Sequence, residues 1–387
     1  MTDDTRRTNP NDAVLDWPLA AGEPGREVWY GLVGRPTGGL AFWFRYTLLS
    51  TRAGHREARV WAALTDAERL ERSFLATRRY PLDAVSAGEG PFRLAVAADG
   101  TIDGSTTDDT GDSDAELTSR SARGRVTVGD GTVVDGERAD DGTTDGSTDP
   151  GIGSTLDGAT VEWELGYDPD AVTFTPLRSR RLTDLAVRVL GTGRHWSANE
   201  SVWIDGRLDL GNESVAFEDA PGHQGHTVGT NAPTEWSWVQ CNAFETPDVA
   251  LEALSTGGSL SICFRHDGET HFLNRLHHVV GPRANATSRN EPGSWAFRGR
   301  GEGVYLEARV ESEGHWQRAA YFAPDDARRY VAHCSLSRVA VRYRVREGGR
   351  RGEWGPPRRA DSDAGRAEWG STERPVPGTY RPTDWPA

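Results

Sequence analysis

The chain contains no lysine. All 44 basic residues are arginine, and they face 58 aspartates and glutamates for a formal net charge of −14. A carboxylate-rich surface holds water, and guanidinium surrenders less hydration than ammonium, so this balance points to a highly saline interior of the haloarchaeal kind. A codon bias toward arginine is the competing explanation. The acidic excess argues against nucleic acid as a partner, because phosphate binding needs a basic face. Arginines do cluster at Arg178, Arg180 and Arg181, and again at Arg342, Arg344 and Arg346. The second cluster alternates with Val341, Tyr343 and Val345, the pattern of a solvated strand face.

Methionine occurs once, and cysteine only at Cys241, Cys263 and Cys334, with no CxxC spacing. Three thiols in apolar runs fit buried, reduced side chains rather than a disulfide framework. No window approaches 18 uninterrupted apolar residues, which excludes a membrane-spanning helix. The opening MTDDTRRTNPNDAV has adjacent arginines but no apolar stretch behind them. Neither Sec nor Tat export is therefore expected, and the cytoplasm is the expected location.

Long helical patterns are scarce too; the only helix-like stretches are Thr65–Leu75, Asp248–Leu254 and Asp325–Tyr330. What the chain has instead is short β-type runs parted by turn residues. EVWYGLVGR, GLAFWFRYTLLST, HREARVWAALT, FRLAVAADG, VTVGDGTVV and ATVEWELGY come first, followed by Leu182–Leu190, Ser201–Leu210 and Glu213–Ala220. A second set covers Trp236–Phe244, Ser259–His266, Glu269–Val279, Gly293–Phe297, Val304–Val310, Trp316–Phe322 and Leu336–Val345. Without strands alternating with long helices, a parallel sheet is not expected. The expectation is an all-β fold of two tandem antiparallel barrels of about eight strands each, a size whose interior holds one small ligand. Residues 1–22 read as a flexible leader, 23–230 as the first barrel, and 231–387 as the second barrel with a Gly-, Pro- and Arg-rich tail from Gly348, anchored by Trp354, Trp369, Tyr380 and Trp385. Within the first barrel, about 100–158 is an acidic, low-complexity insertion with one strand-like island, Gly124–Val134. It buries too little apolar surface to offset its ordering entropy, so it is expected to be mostly disordered and removable.

The most informative segment is GHQGHTVGTNAPTEWSWVQCNAF, Gly222–Phe244. Period two puts Trp236, Trp238, Gln240, Asn242 and Phe244 on one face of an extended strand. Two indoles and a phenyl ring supply an apolar wall, and two carboxamides supply hydrogen bonds. That mixture suits a pocket for a large apolar ligand with one polar end; the plain alternative is a core strand with satisfied amides. The HxxH at His223 and His226 lies among glycines in a turn and not on a helix, so no metal is expected there. No Walker A, GxSxG or Cys/His nucleophile pair occurs, and no cofactor is expected.

Gly229, Pro233, Trp236, Trp238, Gln240, Asn242 and Phe244 match, in identity and spacing, a pattern that resembles tocopherol cyclases. The wider lipocalin-like superfamily includes carotenoid 1,2-hydratases and AttH-type two-domain proteins. The close match covers about 20 residues, and it implies tandem lipocalin-like barrels with the motif near their junction. It also implies chemistry that starts by protonating an alkene with an acid kept neutral by burial, aromatic walls then stabilising the cation. Three positions depart from the pattern: Val228 replaces Trp, Ala232 replaces Phe, and Gly225 stands where the cyclases carry Glu and the hydratases Asp. Substitutes are at hand in Asp219, His223 and His226, with Glu218, Glu235, Asp205 and Asp209 nearby. In WIDGRLDL, Trp203 shares a face with Asp205, Arg207 and Asp209 and joins the candidate ligand-binding set, while Asp beside Arg207 suits a structural pair. The resulting expectation is a protein that binds an isoprenoid-type molecule, a prenylquinone or carotenoid, and cyclises or hydrates it. A non-enzymatic carrier and a structural protein without ligand are the alternatives. Transient contact with a membrane surface is the remaining partner expected.

Overall fold

In EVWYGLVGR, Trp29 and Val33 alternate with Tyr30 and Leu32, so one strand offers two apolar faces. The computed structural model describes residues 10–88, 93–97, 113–129, 133–134, 152–169, 172–190, 193–348 and 352–381, and both faces are used. Trp29 and Val33 join the core of one curled antiparallel sheet, while Leu32 and Tyr30 enter a seam where a second sheet packs against it. Strand accounts for 62% and helix for 6%, so the fold is all-β: two large curled antiparallel sheets in tandem, of lipocalin-like type.

The first sheet uses β1 (Gly25–Arg35), β2 (Leu40–Ser50), β3 (Arg56–Asp66), β4 (Phe74–Tyr80), β5 (Val85–Gly88), β6 (Arg93–Ala97), β7 (Ser113–Thr118) and β8 (Ser121–Thr127). After the short pair β9 (Val133–Val134) and β10 (Ile152–Gly153), it takes β11 (Thr160–Tyr167), β12 (Arg194–Leu210) and β13 (Glu213–Gly229). Its order is β4-β3-β2-β1-β13-β12-β11-β8-β7-β6-β5, so the first strand pairs with the last. In that pairing Tyr30 lies opposite Gly225, and Leu32 opposite His223.

The second sheet has β14 (Glu235–Cys241), β15 (Ala250–Thr256), β16 (Ser259–His266), β17 (Glu269–Leu273), β18 (Ala286–Glu291), β19 (Ser294–Gly301), β20 (Val304–Glu311), β21 (Gln317–Phe322), β22 (Arg328–Glu347), β23 (Glu353–Trp354) and β24 (Arg358–Ser371). Its order is β17-β16-β15-β14-β24-β22-β20-β19-β18, with β21 and β23 paired to β22. Each sheet encloses its own core: Phe42, Phe44, Tyr46, Trp163 and Phe217 in the first, Leu251, Ile262, Phe264, Trp295 and Phe297 in the second. Between them Leu32, Trp43, Trp61, Trp238, Leu254, Tyr321 and Val331 form a third cluster. Burying side chains of this size contributes roughly 1.5–3 kcal/mol each, so the seam is a substantial adhesive surface.

Several elements differ from the sequence reading. Leu182–Leu190 is not a strand but the end of helix α1 (Arg180–Leu190), since Leu182, Leu185, Ala186 and Val189 recur at helical spacing. Asp248–Leu254 and Asp325–Tyr330, expected as helices, fall in or beside β15 and β22, while Thr65–Leu75 keeps only a 3-10 turn at Leu70–Arg72. The other α-helix is α2 (Leu276–Val279). The acidic stretch is not uniformly unstructured: β7 and β8 lie within it and bury Ala115, Leu117, Ala122 and Val126 in the first core. Most of its remainder lies outside the described residues.

The expected tail holds β24, a 14-residue strand between β14 and β22. Trp385 is outside the described residues. Nor is all of the leader loose. The buried carboxylate of Glu27 needs donors and takes them from Val14 N (2.6 Å), Leu15 N (3.1 Å) and Trp17 Nε1 (2.8 Å), pinning that segment to β1.

Candidate functional site

Strands β1, β12 and β13 meet β14 and β15 across the seam, bringing together Tyr30, His195, Ser197, His223, Trp238 and Glu252. Glu252 is wholly buried. Its Oε1 accepts hydrogen bonds from Ser197 Oγ (2.5 Å) and Trp238 Nε1 (2.9 Å), and His195 Nε2 stands 3.7 Å away. Burial works against the charged form, yet attraction to the imidazoles of His223 and His195 and the Ser197 bond outweigh it, holding this carboxyl below its ordinary range. Its other oxygen, Oε2, has no hydrogen-bond partner among the described residues.

His223 is also wholly buried, and burial pushes its pKa down, so the ring is neutral at neutral pH. Its Nδ1 donates to the Glu200 carbonyl at 3.0 Å, which puts the proton there and leaves Nε2 a bare lone pair. Among the described residues that Nε2 has no hydrogen-bond partner. Around it stand the rings of Trp238 at 5.4 Å and Tyr30 at 5.8 Å between centroids, and Tyr30 meets Trp238 edge-on at 6.1 Å. Tyr30 and His195 are half-buried, whereas His223, Trp238 and Glu252 are buried. Burial and the carboxylates Glu252 and Glu368 raise the Tyr30 phenol well above its ordinary pKa, so it stays protonated. Gly225 explains how the phenol fits: a β-carbon there would fall 2.2 Å from Tyr30 Cζ and Oη. The tyrosine hydroxyl occupies the volume that any side chain at 225 would enter.

The carboxamides of the tryptophan-rich strand do something other than face a ligand. Gln240 Nε2 donates to the Glu200 carbonyl at 3.2 Å, and Asn242 Nδ2 to the Gly222 carbonyl at 2.9 Å, both in the first sheet. Their oxygens accept from Arg366 Nη1 at 2.9 and 3.0 Å, while Arg366 Nη2 reaches the Pro221 carbonyl at 2.8 Å. Burial lowers the Arg366 pKa to about 10, still cationic at neutral pH, and three neutral oxygens solvate it in place of a carboxylate. This knot ties β14 and β24 to β12 and β13.

The other expected site residues are dispersed. Trp236 is half-buried and donates to Glu368 Oε1 at 2.7 Å. Trp238 is 5% exposed, wedged into the seam cluster and not standing over a void. Phe244 packs on the second core because β14 ends at Cys241 and the alternation ends with it. Trp203 is 58% exposed on the outer face of β12, so it lines no pocket. Asp219 is exposed at a positive-φ position (45°), its N–H bound to Asp205 Oδ1. His226 lies on the opposite face of β13 from His223, as period two requires; it bonds Glu27 Oε1 at 2.8 Å and stacks on Trp29. Among the described residues no three His, Cys, Asp or Glu side chains gather in a metal-binding group. Two clefts, of about 40 and about 200 Å³, lie elsewhere: one lined by Phe74, Trp316 and Gln317, the other by His266, Arg346 and Arg358.

Sequence reasoning missed Tyr30, His195, Glu252 and Arg366. Glu252 had a usable signal, a lone acid inside the apolar run VALEALS, hidden because the run was taken for a helix.

No family model matches the sequence. Solved structures similar to the chain include CghA, crystallised with Sch210972, at 9% identity and TM-score 0.48, covering 90% of this chain and 88% of that one. An AttH-like protein from Nitrosomonas europaea matches at 15% identity and TM-score 0.42 over 93% and 97%. Kievitone hydratase from Nectria haematococca matches at 12% identity and TM-score 0.42 over 94% of each chain.

Proposed function

We propose that this protein binds a hydrophobic small molecule with a carbonyl-bearing polar end at the seam between its sheets, and cyclises or hydrates it by proton transfer. The observation that carries the reading is the convergence of unpartnered polar atoms, His223 Nε2 and Glu252 Oε2, beneath the Tyr30 phenol and against the Trp238 ring. Buried polar atoms without partners cost about 1–3 kcal/mol each, and such a cost is met at binding and catalytic sites.

Electrostatics selects the chemistry. Protonating an isolated alkene needs a strong acid held neutral, but Glu252 is pushed toward its ionised form and Tyr30 away from ionisation. That argues against a carotenoid hydrocarbon. It favours a substrate whose double bond is conjugated to a carbonyl, and of the isoprenoid classes implied by the resemblance a prenylquinone fits. The His223 lone pair takes the proton of the attacking water or substrate hydroxyl. Tyr30 donates a hydrogen bond to the carbonyl oxygen as charge gathers there, and the imidazolium then returns the proton to carbon. Glu252 steadies the transient imidazolium. Asp219 and His226 have no part in this scheme, and Gln240, Asn242 and Arg366 hold together the sheets that meet at the seam.

The lysine-free, acidic composition supports a saline cytoplasm as the setting, so the test belongs in molar KCl. Purified protein is incubated with a panel of prenylquinones and conjugated enones, with turnover followed by mass spectrometry. Tyr30→Phe and His223→Gln are each expected to lower the rate by about 10²–10⁴-fold while the fold is retained. Unchanged turnover in both variants refutes the assignment, and no turnover or retention of any panel member in the wild type leaves the seam a purely adhesive surface.

A further inference from the structure

Helix α1 is turned the wrong way round for a protein in water. Its apolar stripe, Leu182, Leu185, Ala186 and Val189, follows the i, i+3, i+4, i+7 spacing that normally faces a core. Here Leu185 is 55% and Val189 70% exposed, and no described side chain of the helix is buried. Helix α2 repeats the anomaly: Leu276 is 51% exposed, and Val280 just beyond its end 60%. Of five exposed large hydrophobics among the described residues, four lie on or beside these two helices.

The two elements are fastened at their bases. Arg178 N donates to the Asn274 carbonyl (3.0 Å), Asn274 Nδ2 to the Thr175 carbonyl (2.6 Å), and the Arg178 guanidinium lies over the Phe272 ring. Their charge is opposite to that of the chain. Residues 176–190 carry Arg178, Arg180, Arg181 and Arg188 against the single acid Asp184, which is itself paired with Arg194 at 2.6 Å. Residues 275–283 add Arg283 and no acid; Arg275 is paired with Glu302 at 3.1 Å. On a chain of net charge −14 this is a local reversal.

We propose that α1 and α2 form a docking platform for an anionic lipid surface, Leu185, Val189, Leu276 and Val280 entering the acyl boundary while Arg178 and Arg181 meet phosphate headgroups. Exposed aliphatics flanked by arginine on a short amphipathic helix match the requirements of interfacial binding. The acidic remainder of the chain does not forbid it, because charges beyond a Debye length of about 8–10 Å at ordinary ionic strength are screened. At molar salt the screening length falls to about 3 Å, and the apolar side chains carry the attachment. The platform stands independently of the chemistry at the seam, though it gives a hydrophobic substrate a place to be collected.

The test is sedimentation of the full chain with vesicles of phosphatidylglycerol or of phosphatidylcholine, at low and at molar salt. The wild type is expected to partition onto phosphatidylglycerol at least tenfold more strongly at low salt, with the preference shrinking as salt rises. Leu185→Asp with Val189→Asp is expected to abolish binding at both salt levels. Arg178→Ser and Arg181→Ser are each expected to weaken it about fivefold at low salt only. All these side chains are exposed, so circular dichroism should show intact folds; a variant that unfolds is replaced by Leu276→Asp with Val280→Asp, read the same way. Tyr30→Phe should bind like the wild type, which separates this proposal from the fate of the proposed reaction. Absence of binding to phosphatidylglycerol at low salt, or equal binding by the aspartate variants, overturns it. So does a concentration-dependent dimer in light scattering that those same variants dissociate, because the face would then belong to a second copy.

Discussion

Replacing Arg366 by alanine tests whether the seam is held by the knot around that guanidinium. The substitution strands three acceptors, Gln240 Oε1, Asn242 Oδ1 and the Pro221 carbonyl, at positions where water is excluded. At about 1–3 kcal/mol for each unsatisfied buried acceptor, the loss is roughly 3–9 kcal/mol. One gain opposes it: a guanidinium pKa depressed from 12.5 to about 10 means that burying the charge costs about 3 kcal/mol, a cost that disappears with the side chain. The net expectation from these terms is destabilisation of roughly 0–6 kcal/mol, centred near 3, and the vacated volume adds about 1 kcal/mol or more to it. The assay is urea denaturation followed by tryptophan fluorescence, with Trp238 in the seam among the reporters. Arg338→Ala, at an exposed site, serves as the control and should change stability by less than about 0.5 kcal/mol. If Arg366→Ala costs under about 1 kcal/mol, the sheets are held by apolar contact alone and the motif's amides have no mechanical role.

Gly225→Ala should destabilise by about 1–3 kcal/mol through collision with Tyr30, and the penalty should vanish in the Tyr30→Ala background; additive losses in a thermal melt would contradict the packing described. Because burial lowers the folded-state pKa of His223, the unfolded chain takes up that proton first as pH drops below about 6.5. The stability this histidine protects is therefore present above that pH and lost on acidification. His223→Gln should flatten part of the decline between pH 6.5 and 4, leaving the share due to His266 and His278, whose pKa values are also lowered; an unaltered profile would show that His223 titrates as if exposed. Excising residues 113–128 should abolish soluble folded protein, since β7 and β8 carry Ala115, Leu117, Ala122 and Val126 into the first core. A deletion variant with native circular dichroism would refute that.

What could be read from the sequence followed how local its physical cause is. Strands such as EVWYGLVGR and GLAFWFRYTLLST announce themselves by β-branched and aromatic residues, so β1 and β2, and with them the all-β class, were legible. Strand β24 was not: RRADSDAGRAEWGS has the composition of a loop, and it is a strand because β14 and β22 supply ladders on both sides. The face shared by Trp236, Trp238, Gln240 and Asn242 was legible from period two, but not what it would meet. A wet-lined pocket places the same demands on indoles and amides as the facing first sheet with its Glu200 and Gly222 carbonyls, together with Arg366 of the neighbouring strand β24. Tyr30 escaped notice because its meaning depends on Gly225, nearly two hundred residues away in the chain and directly opposite in the sheet.

The order of strands has a consequence for synthesis. Because β1 pairs with β13, a nascent chain that has released its first strand must wait for about 200 further residues, roughly 10–40 s at ordinary elongation rates, before that edge is covered. The second sheet repeats the delay, since β14 pairs with β24, whose first residue, Arg358, comes long after Cys241. Through both intervals one edge of β1 and of β14 lacks its partner, so chaperone protection of Trp29, Trp236 and Trp238 is expected to raise the yield of folded protein.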